Sequence, residues 1–287
     1  MKNQNKGVLC AIMAAAFYAL NAPLSKLLLK ETPPTMMAAF LYLGAGFGML
    51  SLKLAGIGNG RREQRLTRKE LPYTVAMVVL DIAAPIALMA GIAKTSAANA
   101  SLLNNFEIVA TSLIAALLFR EPISRKLWVG IGLVTLSSFI LSAGDVAELS
   151  FSAGSLLVLL ACVCWGFENN CTRRLSSKDP MQIVVIKGIF SGLGALLIAL
   201  AVGERLPGGW SIACAMLLGF VAYGLSIALY IYGQRELGAA KTSAYYAVSP
   251  FIGVAMSLVI FAEIPSVSFV IALLVMIAGT WVVTKEQ

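Results

Sequence analysis

The chain has 287 residues, of which 59% are hydrophobic and only 13% charged, with a formal net charge of +8 and no histidine. Soluble domains sit nearer half apolar and a quarter charged, so this composition argues against a water-soluble fold. Without histidine the chain lacks the usual metal ligand, general base and proton shuttle, which argues against an enzyme, a metal centre or a bound cofactor.

Ten apolar segments follow one another, at roughly 8–29, 34–55, 72–93, 98–119, 126–144, 153–173, 181–203, 211–233, 240–262 and 266–284. Each is about 20 residues, enough to cross a hydrocarbon core of ~30 Å as a helix. Prolines, glycines and charges mark the joints: Thr32-Pro33-Pro34, the polar run from Gly58 to Glu70, Glu121-Pro122, Asp179-Pro180, Pro207-Gly208-Gly209 and Ile264-Pro265. Backbone groups in lipid must pair within their own segment, so helices are expected throughout. No cleavage-site pattern ends the first segment, which therefore reads as a retained helix. The five cysteines all lie in apolar segments, and their odd count gives no disulfide framework.

With the amino terminus inside, 17 of the 22 Lys and Arg residues fall on the inner side, among them Arg61, Arg62, Arg65, Arg120, Arg173, Arg174, Arg235, Lys241 and Lys285. Four fall outside: Lys26, Lys30, Lys94 and Arg205. This asymmetry predicts that both termini are cytoplasmic, and it accounts for the positive charge without nucleic acid.

The two ends of the chain carry similar text. Ala97 aligns with Ala239, and the match runs from there to Glu121-Pro122 on Glu263-Pro265 with one extra residue. FYALNAPLSKLL from Phe17 matches WGFENNCTRRL from Trp165, placing Asn21 on Asn169 and Lys26 on Arg174. The expected architecture is an all-α integral membrane protein of ten transmembrane helices. Its two five-helix repeats, 1–147 and 148–287, have opposite orientation, a plan characteristic of transporters.

Polar groups deep in a bilayer are costly and face the protein interior. Glu107 is near the middle of segment 4, beyond the reach of snorkelling. Asp81, in segment 3, is followed by Pro85, which removes the backbone bond to Asp81's own carbonyl. Glu168 lies in segment 6 beside Asn169 and Asn170, with Thr172 and Arg173 as structural partners. Lys187, in segment 7, is the one intramembrane base and a candidate salt-bridge partner for these acids. Tyr223 is the repeat partner of Asp81, and Tyr245-Tyr246 aligns with Leu103-Asn104. An aromatic wall opposite a carboxylate suits an ammonium or guanidinium group.

Ten helices in a five-plus-five repeat, Ser96-Ala97-Ala98, the stretch Leu117 to Pro122, Glu263 and Trp165-Gly166 together resemble the EamA-type drug/metabolite transporters over nearly the whole chain. The resemblance implies a central cavity between the halves, lined by segments 1, 3, 4, 6, 8 and 9, and transport of small metabolites, most often export. The family carries a proline midway along segment 4, as segment 9 does here with Pro250; this chain has Asn104-Asn105-Phe106-Glu107 instead.

The expected function is secondary transport by alternating access, since no nucleotide-binding phosphate loop is present. The substrate is expected to be an amino acid or amine, bound by Glu107, Asn104, Asn21, Trp165, Glu168, Tyr245, Tyr246 and Tyr223. Proton coupling is assigned to Glu107, Asp81 and Glu168, with the acids pointing into a watery pocket. The expected partners are the substrate, the bilayer and protons, in a monomer or homodimer. A non-transporting receptor or assembly protein, and a passive channel, are the alternatives.

Overall fold

A computed structural model describes residues 2–56, 66–119, 124–142, 152–175, 178–237, 242 and 245–284. Arg61, Arg62, Arg65, Arg120, Glu121, Pro122, Lys241 and Lys285 lie outside the described residues, as do the side chains of Arg173 and Arg235. No β-strand occurs among the described residues. The helices are α1 (Lys2–Ala19), α2 (Asn21–Leu28), α3 (Pro34–Leu54), α4 (Leu71–Lys94), α5 (Ala97–Leu103), α6 (Phe106–Phe119) and α7 (Arg125–Ser142). They continue as α8 (Ala153–Leu175), α9 (Pro180–Ala201), α10 (Gly209–Gly219), a π-helical turn (Phe220–Leu225), α11 (Ser226–Leu237), α12 (Ser249–Phe261) and α13 (Val267–Thr284). Seven helical stretches are long and apolar enough to cross a membrane, and three shorter apolar helices lie at Trp128–Leu141, Ser249–Phe261 and Val267–Val282.

The joints use ordinary local chemistry. Ser96 caps α5 by accepting the Asn99 amide at 3.1 Å, and Asp179 caps α9 through the Met181 amide at 2.9 Å. Prolines stand in the first turn of α3, α4, α9 and α12, where the missing N–H has no intrahelical partner to lose. Lys26 donates to the carbonyls of Ile92, Ala93 and Thr95 at 2.6–3.1 Å, so it closes the carboxyl end of α4.

Packing joins distant parts of the chain. α4 lies against α8, α1 against α11, α3 against α9, α7 against α13, and α5 against α12; α6 also meets α8, and α1 meets α12. In terms of the ten sequence segments these pairs are 3 with 6, 1 with 8, 2 with 7, 5 with 10, 4 with 9, 4 with 6, and 1 with 9. Exchanging each segment for the one five further on leaves this set unchanged.

The α3–α9 pair is closely packed. A methyl group at Gly46 would sit 2.6 Å from the Ile189 amide nitrogen, and one at Gly192 would sit 2.7 Å from that of Leu43. Small residues let backbones approach where lipid supplies no hydrophobic drive. At one end of the pair, Lys53 meets Asp179 at 2.7 Å. At the other end the Glu204 carboxylate accepts the Thr35 and Met36 amides at 3.2 and 2.8 Å, which satisfies the open amino end of α3.

Two outcomes follow. Gly188→Leu should fall at or beyond the upper end of the ~1–3 kcal/mol usual for overpacking, because a methyl there already meets the Gly46 backbone; a thermal scan in detergent showing parental stability would refute the close approach. Burial raises the Asp179 carboxyl, but Lys53 and the amides of Gln182 and Met181 more than offset this and hold it below the usual carboxylate range. A carboxyl lowered on folding stabilises at neutral pH and loses that contribution as pH falls. Asp179→Asn should therefore lower the melting temperature at pH 7, and the gap to the parent should shrink on acidification.

Candidate functional site

Four helices converge on one buried ion cluster. Lys187 of α9 places its Nζ 3.1 Å from Asp81 Oδ2 of α4 and 3.1 Å from Glu168 Oε1 of α8. Asp81 and Glu168 are 0% and 1% exposed. Tyr42 of α3 donates its hydroxyl to Asp81 Oδ1 at 2.9 Å, and Trp165 Nε1 donates to the Tyr42 oxygen at 3.4 Å. Thr172 donates to Glu168 one turn away. Asp81 Oδ2 has the ammonium as its charge partner but no aligned hydrogen bond. With Lys187 charged, the cluster has one carboxylate in surplus and holds either one net negative charge or one proton. The expected wet setting of these two acids is not what the structure shows: both turn to Lys187 in an enclosed contact. The physical reason is that a carboxylate out of water needs a counter-ion, and α9 brings one.

An aromatic group adjoins this cluster. The Tyr42 ring is 5.2 Å from that of Tyr223, Tyr223 is 5.9 Å from Tyr18, Tyr18 is 5.9 Å from Tyr246, and Tyr246 is 4.9 Å from Tyr230. Such pairs add about 0.5–1.5 kcal/mol each beyond burial, so the wall they form is stiff. Asn21 donates to the Tyr223 oxygen at 2.9 Å and accepts from Ser25 at 3.1 Å. Tyr223 sits within the π-helical turn, a local widening of the helix that often marks functional positions. Tyr246 is half-buried, with its hydroxyl 3.5 Å from Ser226 Oγ. Tyr245 is 40% exposed and stands apart from this wall.

Glu107 is placed differently from the other two acids. Segment 4 breaks at Asn104-Asn105, between α5 and α6, and Glu107 opens α6. Its Oε1 accepts from Asn169 Nδ2 at 2.8 Å, and the same amide reaches Thr111 Oγ1 at 3.2 Å. Glu107 is half-buried, within electrostatic range of Tyr18, Tyr223 and Tyr246, and no basic side chain among the described residues pairs with it. Asn104 and Asn105 are 8% and 1% exposed, each with an unpartnered Oδ1.

Tyr18, Tyr42, Tyr230, Thr111 and Asn169 are residues that sequence reasoning passed over as site members. Asn169 had a signal, since it is the repeat partner of Asn21. A lone tyrosine or threonine in an apolar helix has none.

The family model for EamA-like transporters matches this chain twice, over residues 5–143 and 152–285. The chain belongs to the EamA-like transporter family. An uncharacterized transporter of Methanothermobacter thermautotrophicus is 26% identical over 295 residues, spanning 96% of this chain and 85% of its relative. The uncharacterized transporter YyaM of Bacillus subtilis is 20% identical over 258 residues, spanning 85% and 82%. A solved crystal structure, 17% identical, superposes with a TM-score of 0.71 over 99% of this chain and 98% of the other, which shows a shared fold. This EamA-like protein is a multi-pass membrane transporter of the cell membrane.

In this transporter the ion cluster ties α4, α8 and α9 together. Lys187→Met is expected to cost about 3–5 kcal/mol, the usual result of leaving buried carboxylates uncompensated. The triple change Lys187→Met, Asp81→Asn, Glu168→Gln should recover much of that loss in thermal scans; a triple variant no more stable than the single one would show that charge is not what the cluster balances.

Proposed function

We propose that this EamA-like transporter is a secondary carrier that moves a small metabolite, an amino acid or amine, by alternating access and exports it in exchange for protons. The supporting observation is Glu107: a half-buried carboxylate at a helix break, within electrostatic range of Tyr18, Tyr223 and Tyr246 and in no ion pair among the described residues. Asp81 and Glu168 already share Lys187, so Glu107 is the acid open to a substrate cation. Tyrosine faces attract the same cation, by about 0.5–2 kcal/mol where water is excluded.

The moving parts would be the two halves, 1–147 and 148–287, each of five spans, with both termini in the cytoplasm. The twofold match of the family model and the exchange symmetry of the packing support two related units. Breaks in segments 1, 4 and 9, Pro85 in segment 3 and the π-helical turn in segment 8 interrupt the helices around the site, the usual construction of a carrier's binding region. One charge moved through 100 mV contributes about 2.3 kcal/mol, enough for roughly fifty-fold accumulation.

In proteoliposomes Glu107→Gln should abolish proton-driven flux while the variant keeps the parental melting temperature. Unchanged flux would remove Glu107 as the coupling site. Saturable flux with counterflow exchange is expected of a carrier; linear flux without exchange would mean a channel.

A further inference from the structure

A second site lies where three interrupted helices meet. α1 ends at Ala19, and four residues on stands Pro23, which has no N–H to give Ala19's carbonyl. α5 ends at Leu103, and the Asn105 amide bonds Leu102's carbonyl at 3.2 Å rather than that of Ser101. α12 begins at Ser249 and packs against both α5 and α1. The loose ends converge on Gly253: a methyl group there would lie 2.8 Å from Ser101 Oγ and 3.3 Å from the Ala19 carbonyl oxygen. Ser249 is one turn from Gly253 along the same face of α12, and Asn105 lies in the break just past the end of α5.

These oxygens lack partners. Ser101, Asn105 and Ser249 are 3%, 1% and 1% exposed, and Ser101 Oγ, Asn105 Oδ1 and Ser249 Oγ accept and donate nothing. Asn104 Oδ1, in the same break, is also unpartnered. Buried polar atoms are nearly always paired, and each orphan costs about 1–3 kcal/mol, so a cluster of them points to an occupant. A carboxamide oxygen and a main-chain carbonyl can only accept, and the hydroxyls can do so too, so the occupant must be positive or a donor. The side-chain set is neutral and all oxygen, whereas Ca²⁺ and Mg²⁺ sites are built on carboxylates, so a monovalent ion fits. The atoms are closed to bulk water, which favours a small bare ion over an organic ammonium. The amino end of α12 offers little opposition: Phe251 and Ile252 bond Val248's carbonyl, and Pro250 has no amide.

We infer that Ser101, Asn105, Ser249 and the Ala19 carbonyl form a sodium site at the junction of α1, α5 and α12. The inference rests on the carrier reading only in naming the ion's use, as a second coupling ion beside the Glu107 proton; binding itself stands apart from transport.

The test is thermal unfolding of the purified full chain in detergent with NaCl, KCl, choline chloride or methylammonium chloride at equal ionic strength. A saturable rise in melting temperature with sodium alone is expected. Ser101→Ala should abolish that rise and, by removing an unpaired buried hydroxyl, should not lower the sodium-free melting temperature. Gly253→Ala, whose methyl enters the site, should abolish the rise as well. No response to sodium would mean the oxygens hold water, and an equal response to all four salts would mean screening; either overturns the site. A response to methylammonium but not sodium would assign the oxygens to a substrate's ammonium and overturn the sodium assignment. A sodium response retained in both variants would place the ion elsewhere and overturn it too. Radioactive sodium binding without any flux in proteoliposomes would sink the carrier reading and leave this site standing.

Discussion

A hydrocarbon layer offers no hydrogen bonds, so every polar group carried into it must find its partner within the protein. That constraint explains why the described elements are helices, in which each segment closes its own backbone. It also explains why departures from regular helix are informative. A break, a proline or a π-helical turn frees carbonyls and amides that something else must satisfy. In this transporter such departures gather on segments 1, 3, 4, 8 and 9, around the polar side chains. The remaining long segments, above all α3 and α9, run unbroken and pack backbone to backbone.

The same constraint divides the intramembrane acids into two kinds. Asp81 and Glu168 share one ammonium and are enclosed by Tyr42, Trp165 and Thr172. Glu107 has a neutral amide from Asn169 and an aromatic neighbourhood instead. A counter-ion and a carboxamide are different solutions to one problem. The first locks charge in place across three helices. The second leaves a carboxylate whose charge is still available. On the proposed carrier reading, coupling belongs to the second kind and rigidity to the first.

Much of the fold was legible because the relevant signals are local. The boundaries of segments 34–55, 72–93 and 181–203 fell within a few residues of α3, α4 and α9, since apolar length and proline placement act on the chain where they occur. The Asp179 cap and the Ser96 cap could be read from two or three adjacent residues. The breaks inside segments 1 and 4 could not: 8–29 and 98–119 read as uninterrupted apolar runs, yet α1 stops at Ala19 and α5 at Leu103. Pro23 and Asn104-Asn105 stood at those places, but whether such residues bend, cap or merely sit in a helix depends on what packs against them.

The sequence by itself determined that this chain lives in a bilayer, carries similar text in its first and second parts, and places three acids and the base Lys187 deep within its apolar segments. These are properties of composition, order and internal similarity, and no folding is needed to state them. Which acid meets the base was a matter for the tertiary structure. Residues 81, 168 and 187 lie far apart along the chain, and a Coulomb pair forms only when α4, α8 and α9 stand side by side. The gathering of Tyr18, Tyr42, Tyr223, Tyr230 and Tyr246 into one wall was decided there as well, because ring contacts depend on distances of a few ångströms between helices that sequence spacing does not encode.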